Sequence, residues 1–445
     1  MNRHQVQHNK LNETQLPDHS EYRGKGRAWL NWSLGVAFVV VVFIMQSGYA
    51  ITNKSMAADL SLTITQVGLV GSVYTWVFAL AQLGSGSMLD LFGAKRCLPF
   101  AAICLTLGIL VFSQAQGFEL LIIGQVLMAL GASFGFIGAG FIGGQWFNPA
   151  KYGLMFSLVQ FAASIGALIG QRVISYLIID LSITWSSLIL GIAVMGALVS
   201  IMMFILLKDP PEQNAKTQGW TGFANFANSI GTSIKIVVSV RASWVNALIA
   251  GATFGAMFAL GVVWGPRIMM AGGMEATTAY TTSSLCWLGL ATGSPAISWL
   301  SERIGKMVLP MTIASLAQAV VLIVLLFVGS NVDTITASLL FYFFGFFAGG
   351  SMLPYAIAAK LVPSGLVGTS AAIVNATQFI VSGILMALPG QILAGASNVV
   401  GPESMPQDPS YGDYQTALII LPVALIAAFL LSLFLSDPYK KEEYA

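Results

Sequence analysis

Long apolar runs separated by short polar or Gly/Pro-rich breaks dominate this chain. A helix needs about 20 mostly apolar residues to cross the hydrocarbon core of a bilayer. Twelve such runs can be placed, so we predict an all-α membrane protein with 12 transmembrane helices, numbered helix 1 to helix 12. Their expected ranges are 30–52, 65–89, 97–116, 118–145, 153–177, 185–207, 244–268, 278–300, 308–329, 335–359, 366–390 and 414–435.

The scarcity of charge excludes most other classes of protein. Only 9% of the 445 residues are Asp, Glu, Lys or Arg, against about 25% in ordinary soluble domains. A soluble enzyme, a nucleic-acid-binding protein and a secreted disulfide scaffold are therefore excluded. The chain also has no His, Cys and carboxylate cluster at catalytic or metal-ligand spacing. We therefore expect no enzymatic activity, no cofactor and no metal.

The distribution of cations predicts the orientation. An even number of spans places both termini on one side of the membrane. If that side is the cytoplasm, only Lys54, Arg172 and Arg267 lie on or near the outer side, which leaves 17 of the 20 Lys and Arg residues inside. The positive-inside rule favours this arrangement. We therefore predict a multi-pass protein of the cell's inner (plasma) membrane with both termini in the cytoplasm.

The two halves of the sequence resemble each other. Three short patterns recur at offsets of 210, 218 and 212 residues: 134–136 with 344–346, 160–164 with 378–382, and 90–93 with 302–305. Each pair falls on corresponding helices, so the chain is predicted to divide into two parallel six-helix repeats. The predicted regions are a disordered cytoplasmic tail (1–28), an N-terminal bundle (29–207), a cytoplasmic linker (208–243), a C-terminal bundle (244–436) and a second tail (437–445).

One motif in this pattern resembles a known family. In the segment Gly86-Ser87-Met88-Leu89-Asp90-Leu91-Phe92-Gly93-Ala94-Lys95-Arg96, a Gly, an Asp, a second Gly and two basic residues follow in the order found between helices 2 and 3 of the major facilitator superfamily. The second-half copy, 298–306, has Ser298 for the Gly and Glu302 for the Asp. The resemblance implies two bundles related by pseudo-two-fold symmetry, alternating access, a monomer, and a cytoplasmic latch. The expected latch residues are Gly86, Asp90, Gly93, Lys95, Arg96, Glu302 and Gly305.

The latch also has a physical basis of its own. An acid at the end of helix 2 can bind the positive amino-terminal end of a neighbouring helix, such as helix 11, which should start near Ser364. Such contacts break when the cytoplasmic side opens, so we expect them to bias one state by about 1–3 kcal/mol.

The polar residues inside the spans indicate which helices line a path. Helices 6 and 12 carry almost no polar side chains and helices 3 and 9 carry few, so these four are expected to face lipid. Intramembrane polar groups mark either a substrate path or an interhelical hydrogen bond; aromatic residues can also serve in interfacial belts or core packing. Gln160 and Gln378 occupy repeat-related positions and should lie on opposite walls. The candidate substrate-binding residues are Gln46, Tyr49, Gln125, Gln160, Arg172, Trp264, Arg267, Tyr355, Asn375 and Gln378.

The expected function is transport of a small molecule. We predict a secondary active or facilitative transporter of a small polar metabolite, anionic or zwitterionic, of the amino-acid or carboxylate class. Arg172 and Arg267 would bind its anionic group if they face the cavity; otherwise they extend to lipid headgroups or pair with nearby acids. The expected partners are this substrate and the lipid bilayer, with no nucleic acid. An efflux carrier for drugs or metabolites and a non-transporting membrane sensor are the alternatives.

The sequence does not decide whether transport is coupled to an ion such as the proton. No Asp, Glu or His lies deep in a predicted span, whereas proton-coupled carriers usually place a titratable group along the path. This argues against drug/proton exchangers that use a carboxylate in helix 1 or 4. It leaves facilitated diffusion, a proton carried by the substrate, or an acid at a helix end such as Glu119, so protons remain a candidate coupling ion.

Overall fold

A computed structural model describes residues 24–179, 181–210, 223–330, 332–397 and 409–437. Within these ranges the regular structure is entirely helical, and twelve long helices, α1 to α12, follow the order of the predicted ones. Their bounds are Gly26–Asp59, Ile64–Phe92, Ala94–Ser113, Phe118–Trp146, Tyr152–Ile179, Trp185–Leu206, Arg241–Ala271, Ala276–Ile304, Val308–Phe327, Thr334–Leu361, Val367–Ser397 and Tyr411–Ser432.

Most of these helices are long and apolar enough to cross a bilayer. Ten regions of the described chain meet both requirements. The other two helices, α2 and α8, have 29 residues each, or about 43 Å at 1.5 Å per residue. The predicted all-α fold with twelve long helices is therefore confirmed.

Four of the helices are interrupted, and these breaks were not predicted from the sequence. A π-helical segment, Leu260–Trp264, divides α7, and a 3-10 turn, Gly349–Met352, divides α10. In both cases a proline follows at the start of the next helical piece (Pro266 and Pro354), where its missing N–H is tolerated. α4 is broken after Ala132 and α12 after Leu418.

The two ends of the molecule can be distinguished by the chain termini. We call the inner end the one that carries Gly24, whose N–H donates to the Trp146 carbonyl, and Asp437, which accepts from the N–H groups of Met307 and Val308. The opposite end is the outer end. The inner end is the one that the charge pattern assigns to the cytoplasm, which stays a prediction.

The predicted region boundaries also stay predictions. We call α1–α6 the first half and α7–α12 the second half. An additional helix, Phe223–Ser239, which we call the linker helix, lies within the predicted linker 208–243. Most of the predicted tails, 1–28 and 437–445, lies outside the described residues.

The peripheral helices are those that the sequence assigned to lipid. α3, α6, α9 and α12 expose large apolar side chains along their length, which in a bilayer face hydrocarbon. Examples are Phe100, Leu107, Leu198, Ile201, Phe204, Ile313, Val320, Val423 and Leu430. The remaining eight helices are therefore left to form the centre of the molecule.

Candidate functional site

A narrow cavity lies between the two halves. Its lining comes from α1, α2, α4 and α5 of the first half and from α7 and α11 of the second. The lining residues are Val39, Val42, Phe43, Gln46, Phe78, Ala132, Phe136, Gln160, Phe254, Asn375, Gln378 and Phe379. None of these 12 side chains is charged. The cavity volume is about 10 Å³, room for about one water molecule, so the halves are nearly closed around it.

Two amides from the first half face this cavity. Gln46 of α1 donates from Nε2 to the Tyr74 hydroxyl of α2 at 2.8 Å. Gln160 of α5 donates from Nε2 to the Ser164 hydroxyl at 3.0 Å. These bonds orient each amide from within its own half.

The second half contributes an amide pair on α11 that is incompletely hydrogen-bonded. The Tyr355 hydroxyl is within bonding distance of Asn375 Oδ1, at 2.8 Å, and of Gln378 Oε1, at 2.6 Å. A hydroxyl has one proton, so it cannot fully satisfy both oxygens. The Nδ2 group of Asn375 is buried without a hydrogen-bond partner. The cavity therefore offers one free donor and a partly satisfied acceptor, side by side.

Aromatic rings cover the remaining cavity wall. Phe379 of α11 packs edge-to-face against Phe78 of α2, with ring centroids 4.6 Å apart, and lies 6.0 Å from Phe254 of α7. The Phe78–Phe379 contact joins the two halves. Rings of this kind present apolar faces to a ligand.

The structure brings together five of the candidate substrate-binding residues: Gln46, Gln160, Asn375 and Gln378 line the cavity, and Tyr355 binds two of them. The other candidates lie elsewhere. The Tyr49 hydroxyl is 3.4 Å from the Val67 carbonyl, Gln125 is buried in α4, and Trp264 donates to the Met386 carbonyl at 3.1 Å. Arg267 is exposed, with its guanidinium 5.2 Å from the Trp264 ring centre. The side chain of Arg172 lies outside the described residues.

A larger recess lies at the outer end of the second half. It has a volume of about 350 Å³ and is lined by the ends of α7, α8, α10 and α12, with Glu275 and Asp333 among its residues. Its described lining belongs to one half only. A site that opens alternately to two sides needs walls from both halves, so the central cavity is the better candidate.

At the inner end, Asp90 of α2 binds the first turn of α11. Its carboxylate accepts from Gly368 N at 2.8 Å, from Thr369 N at 2.7 Å and from the Thr369 hydroxyl at 2.8 Å. Ser87 adds a hydroxyl contact with Thr369 at 3.1 Å. This is the contact with the amino-terminal end of helix 11 that was expected for an acid at the end of helix 2, and it lies close to the expected helix start at Ser364. Its role as a latch stays a prediction.

A related contact joins α5 and α8 at the same end. The Ser157 hydroxyl of α5 is hydrogen-bonded to the Ser298 hydroxyl of α8. Glu302, the counterpart of Asp90 in the repeat, interacts with the backbone of Leu154 and with Lys151 at the start of α5. We call the contacts of Asp90, Ser87, Ser157 and Glu302 the inner gate. Because it joins the halves on both sides of the interface, the cavity is closed toward the inner end.

The other latch candidates shape the turns beside this gate. Gly93 and Gly305 have φ values of 79° and 64° and end α2 and α8, a conformation that favours glycine. Lys95 and Arg96 are exposed at the start of α3.

Sequence reasoning missed two aspartates at the inner end. Asp209, just after α6, accepts from Lys95 N at 2.9 Å at the start of α3. Asp437, just after α12, accepts from Met307 N at 2.9 Å beside the start of α9. Burial raises the pKa of the Asp209 carboxyl, while hydrogen bonds from the backbone of Lys95 and Ala94 oppose this rise. The sequence feature that could have revealed both aspartates is an Asp-Pro pair, which occurs directly after helix 6 and again after helix 12.

Comparison with known proteins settles the family. Residues 35–387 match the family model described as Major Facilitator Superfamily. The chain belongs to this superfamily. It is therefore a multi-pass membrane transporter and not an enzyme, as the sequence predicted.

Three individual proteins are similar to the chain over most of its length. The chain is 24% identical to the uncharacterized transporter YybO of Bacillus subtilis (strain 168), over 81% of this chain and 86% of that protein. It is 23% identical to the probable galactarate/D-glucarate transporter GudP of Escherichia coli (strain K12), over 80% and 84% of the two chains. The crystal structure of the E. coli fucose:proton symporter FucP has the same superfamily fold, with a TM-score of 0.67 and 17% identity over 91% of this chain and 99% of that one.

Proposed function

We propose that the protein carries a small hydroxylated organic acid, of the sugar-acid class, across the membrane by alternating access around the central cavity. The observation that carries this proposal is the incompletely bonded amide pair, Asn375 and Gln378, facing Gln46 and Gln160 among phenylalanine rings. The relatives support the class. Besides GudP, they include the hexuronate transporter of B. subtilis, 23% identical over 40% of this chain.

Amides suit a ligand with many hydroxyl groups. A hydroxyl donates one hydrogen bond and accepts others, and each amide side chain also does both. A site built to bond a hydroxyl rejects an analogue that lacks it, because its own polar groups are then left unpaired. The phenylalanine rings complement the C–H surface of a compact carbon chain. This narrows the predicted carboxylate class to carboxylates that carry hydroxyls.

The uncharged lining of the central cavity has a consequence for how transport is coupled to protons. A carboxylate loses solvation when it enters a cavity without a counter-charge, and the cost is reduced when it enters with a proton or a cation. Amide N–H donors such as Asn375 Nδ2 can bind the carboxyl group but do not neutralise it. We therefore infer that the substrate enters with a proton of its own, so that uptake rises as the pH on the uptake side falls.

The predicted setting is part of the proposal. We place the protein in the cell's inner membrane as a single chain, with the inner end toward the cytoplasm. Membership of a transporter superfamily disfavours the sensor alternative, and efflux differs from uptake only in direction.

Counterflow in proteoliposomes tests the proposal. We expect a labelled sugar acid such as galactonate to exchange, and two matched compounds to compete at least about tenfold less well. Hexanoate keeps the carboxylate without the hydroxyls, and galactose keeps the hydroxyls without the carboxylate. Equal competition by hexanoate would contradict recognition of hydroxyls, and equal competition by galactose would contradict recognition of the acid.

A matched pair of variants tests the site itself. Asn375→Ala should abolish counterflow with little change in membrane abundance. Gln114→Ala removes a solvent-accessible amide at the end of α3, away from the cavity, and should leave counterflow unchanged. If the two variants were equally active, the central cavity would not be the substrate-binding site.

A further inference from the structure

Tyr355 stands between the central cavity and the inner gate. It lies on the short helical piece Leu353–Leu361 of α10, directly after the 3-10 turn, and its side chain is 0% exposed. It does not line the cavity, yet its hydroxyl binds Asn375 at 2.8 Å and Gln378 at 2.6 Å, which do. The hydroxyl therefore fixes how the amide pair is presented.

The ring of Tyr355 makes a different contact, with the first half. It stacks on Phe156 of α5, with centroids 4.5 Å apart and an angle of 12° between the planes, and lies 5.6 Å from Phe136 of α4. The next residue after Phe156 is Ser157, whose hydroxyl bonds to Ser298 in the inner gate. The ring is thus part of the interface that must separate when the inner end opens.

We propose that Tyr355 is a positioning residue that couples occupancy of the cavity to the inner gate, because its hydroxyl holds the amide pair while its ring packs against Phe156 across the two halves. This inference rests on the proposed binding of substrate at the central cavity. In the structure the two amide oxygens share one hydroxyl proton, and Asn375 Nδ2 is buried without a hydrogen-bond partner.

A hydroxylated substrate would change this arrangement. Its hydroxyl can donate to one of the two amide oxygens and accept from Asn375 Nδ2. Tyr355 then no longer has to satisfy both amides. Without substrate, movement of the Tyr355 ring away from Phe156 would remove its hydroxyl from the oxygens of Asn375 and Gln378 and leave them unpaired. With substrate bound, the substrate hydroxyl satisfies one of these oxygens, so the same movement leaves fewer polar groups unpaired. Substrate therefore favours opening of the inner gate through Tyr355.

The first arm of the test is transport kinetics with Tyr355→Phe, which keeps the ring and removes the hydroxyl. We expect KM to rise about fivefold, as for loss of a hydrogen bond worth about 1 kcal/mol, with little change in maximal rate. The control is Tyr342→Phe, which removes a hydroxyl bonded to Thr292 at 3.0 Å inside the second half. Equal KM values in the two variants would overturn the proposed role of the hydroxyl.

The second arm measures the inner gate directly. Ser87 is 0% exposed between the halves, so Ser87→Cys, in a background with Cys97, Cys104 and Cys286 changed to Ala, should react with a maleimide only when the gate opens. Without substrate, Phe156→Leu and Tyr355→Leu should raise the labelling rate because they weaken the ring contact, and Tyr355→Phe should raise it because no hydroxyl bond to the amide pair is lost on opening. Substrate should accelerate labelling in the background protein and in Tyr342→Phe, but not in Tyr355→Phe.

The two arms separate this inference from the proposed function. If no sugar acid exchanges in any protein, the proposed function fails, and the substrate-free labelling still decides whether the Tyr355 ring holds the gate. If the background transports a sugar acid but all variants label alike, the coupling role is wrong and the function stands. Tyr355→Phe keeps the buried ring, so a folding defect in Tyr355→Leu leaves the decisive comparison intact.

Discussion

At Gly86, α2 lies directly against α11 of the other half. A Cβ added there would collide with the Gly368 carbonyl and would lie 2.5 Å from Ala372 Cβ. Two positions earlier on the same helix, Gly84 has no atom within 4 Å of an added Cβ. The glycine at position 86 therefore allows the close approach of the halves that Asp90 stabilises.

We predict that Gly86→Ala destabilises the closed inner gate. Overpacking of this kind costs about 1–3 kcal/mol, and a cost near 1.4 kcal/mol changes a conformational equilibrium about tenfold. The expected result is about tenfold faster maleimide labelling in the Ser87→Cys background, measured without substrate. Gly84→Ala is the control and should label at the parental rate. Identical rates in both variants would mean that α2 and α11 are not in close contact in the membrane.

Single residues differ in how well the sequence predicted their surroundings. For Asp90 the family motif and the helix dipole together pointed to the start of helix 11, and the structure has that contact. For Asp209 nothing local indicated a partner, because the N–H groups that it accepts from lie about 115 residues earlier in the chain. Arg267 shows a further difficulty: periodicity places a residue on a helix, but the π-helical segment before it changes which way it faces.

Among the helices, α8 and α10 pack through glycines. An added Cβ would collide with a backbone carbonyl at Gly289 (Tyr342), Gly293 (Phe346) and Gly345 (Cys286). Side chains at these positions would force the two helices apart, so close packing here depends on the absence of a Cβ.

We predict that Gly345→Ala lowers the thermal stability of the purified protein. The added methyl group overpacks the contact with α8 at a cost of about 1–3 kcal/mol. The control is Gly383→Ala in α11, where an added Cβ meets no atom within 4 Å. Both variants gain about 1 kcal/mol of helix propensity, because alanine replaces glycine inside a helix. Differential scanning fluorimetry in detergent should show a lower midpoint for Gly345→Ala only. A midpoint at or above that of Gly383→Ala would contradict the packing.

Helices as whole elements were predictable, but their interruptions were not. Apolar runs of sufficient length placed all twelve helices because a bilayer leaves few alternatives for a buried backbone. The breaks in α7 and α10 depend on how the backbone re-forms its hydrogen bonds around Pro266 and Pro354, which is decided by neighbouring helices. The linker helix was missed because its apolar residues form only one face, so it contains no continuous apolar run of the kind that marks a span.

At the scale of the whole molecule, the structure is closed at the inner end. Contacts of α2 with α11 and of α5 with α8 join the halves there. The twofold repeat in the sequence predicts two bundles that can move against each other, but not which end is closed. Conformations of a protein that interconvert commonly differ by only a few kcal/mol, and sequence patterns do not resolve differences of that size.

A reversible cross-link can test whether this interface must open. The hydroxyls of Ser87 and Thr369 lie 3.1 Å apart across the halves. In a cysteine-free background, the pair Ser87→Cys and Thr369→Cys should form a disulfide on oxidation, because a cysteine places its sulfur close to where a serine or a threonine places its hydroxyl oxygen. We predict that oxidation abolishes counterflow, since a covalent bond holds the inner gate closed, and that a reductant restores it.

A pair inside one half provides the control for that experiment. Thr106 of α3 and Ser200 of α6 have hydroxyls 3.3 Å apart, and both belong to the first half. The pair Thr106→Cys and Ser200→Cys should oxidise as readily and leave counterflow intact, because a rigid half can move as one body. Loss of activity in both pairs would show that motion within a half is required, and persistence of activity in both would show that the inner gate does not open during transport. Only inhibition of the Ser87 pair alone agrees with two halves that alternate around the central cavity.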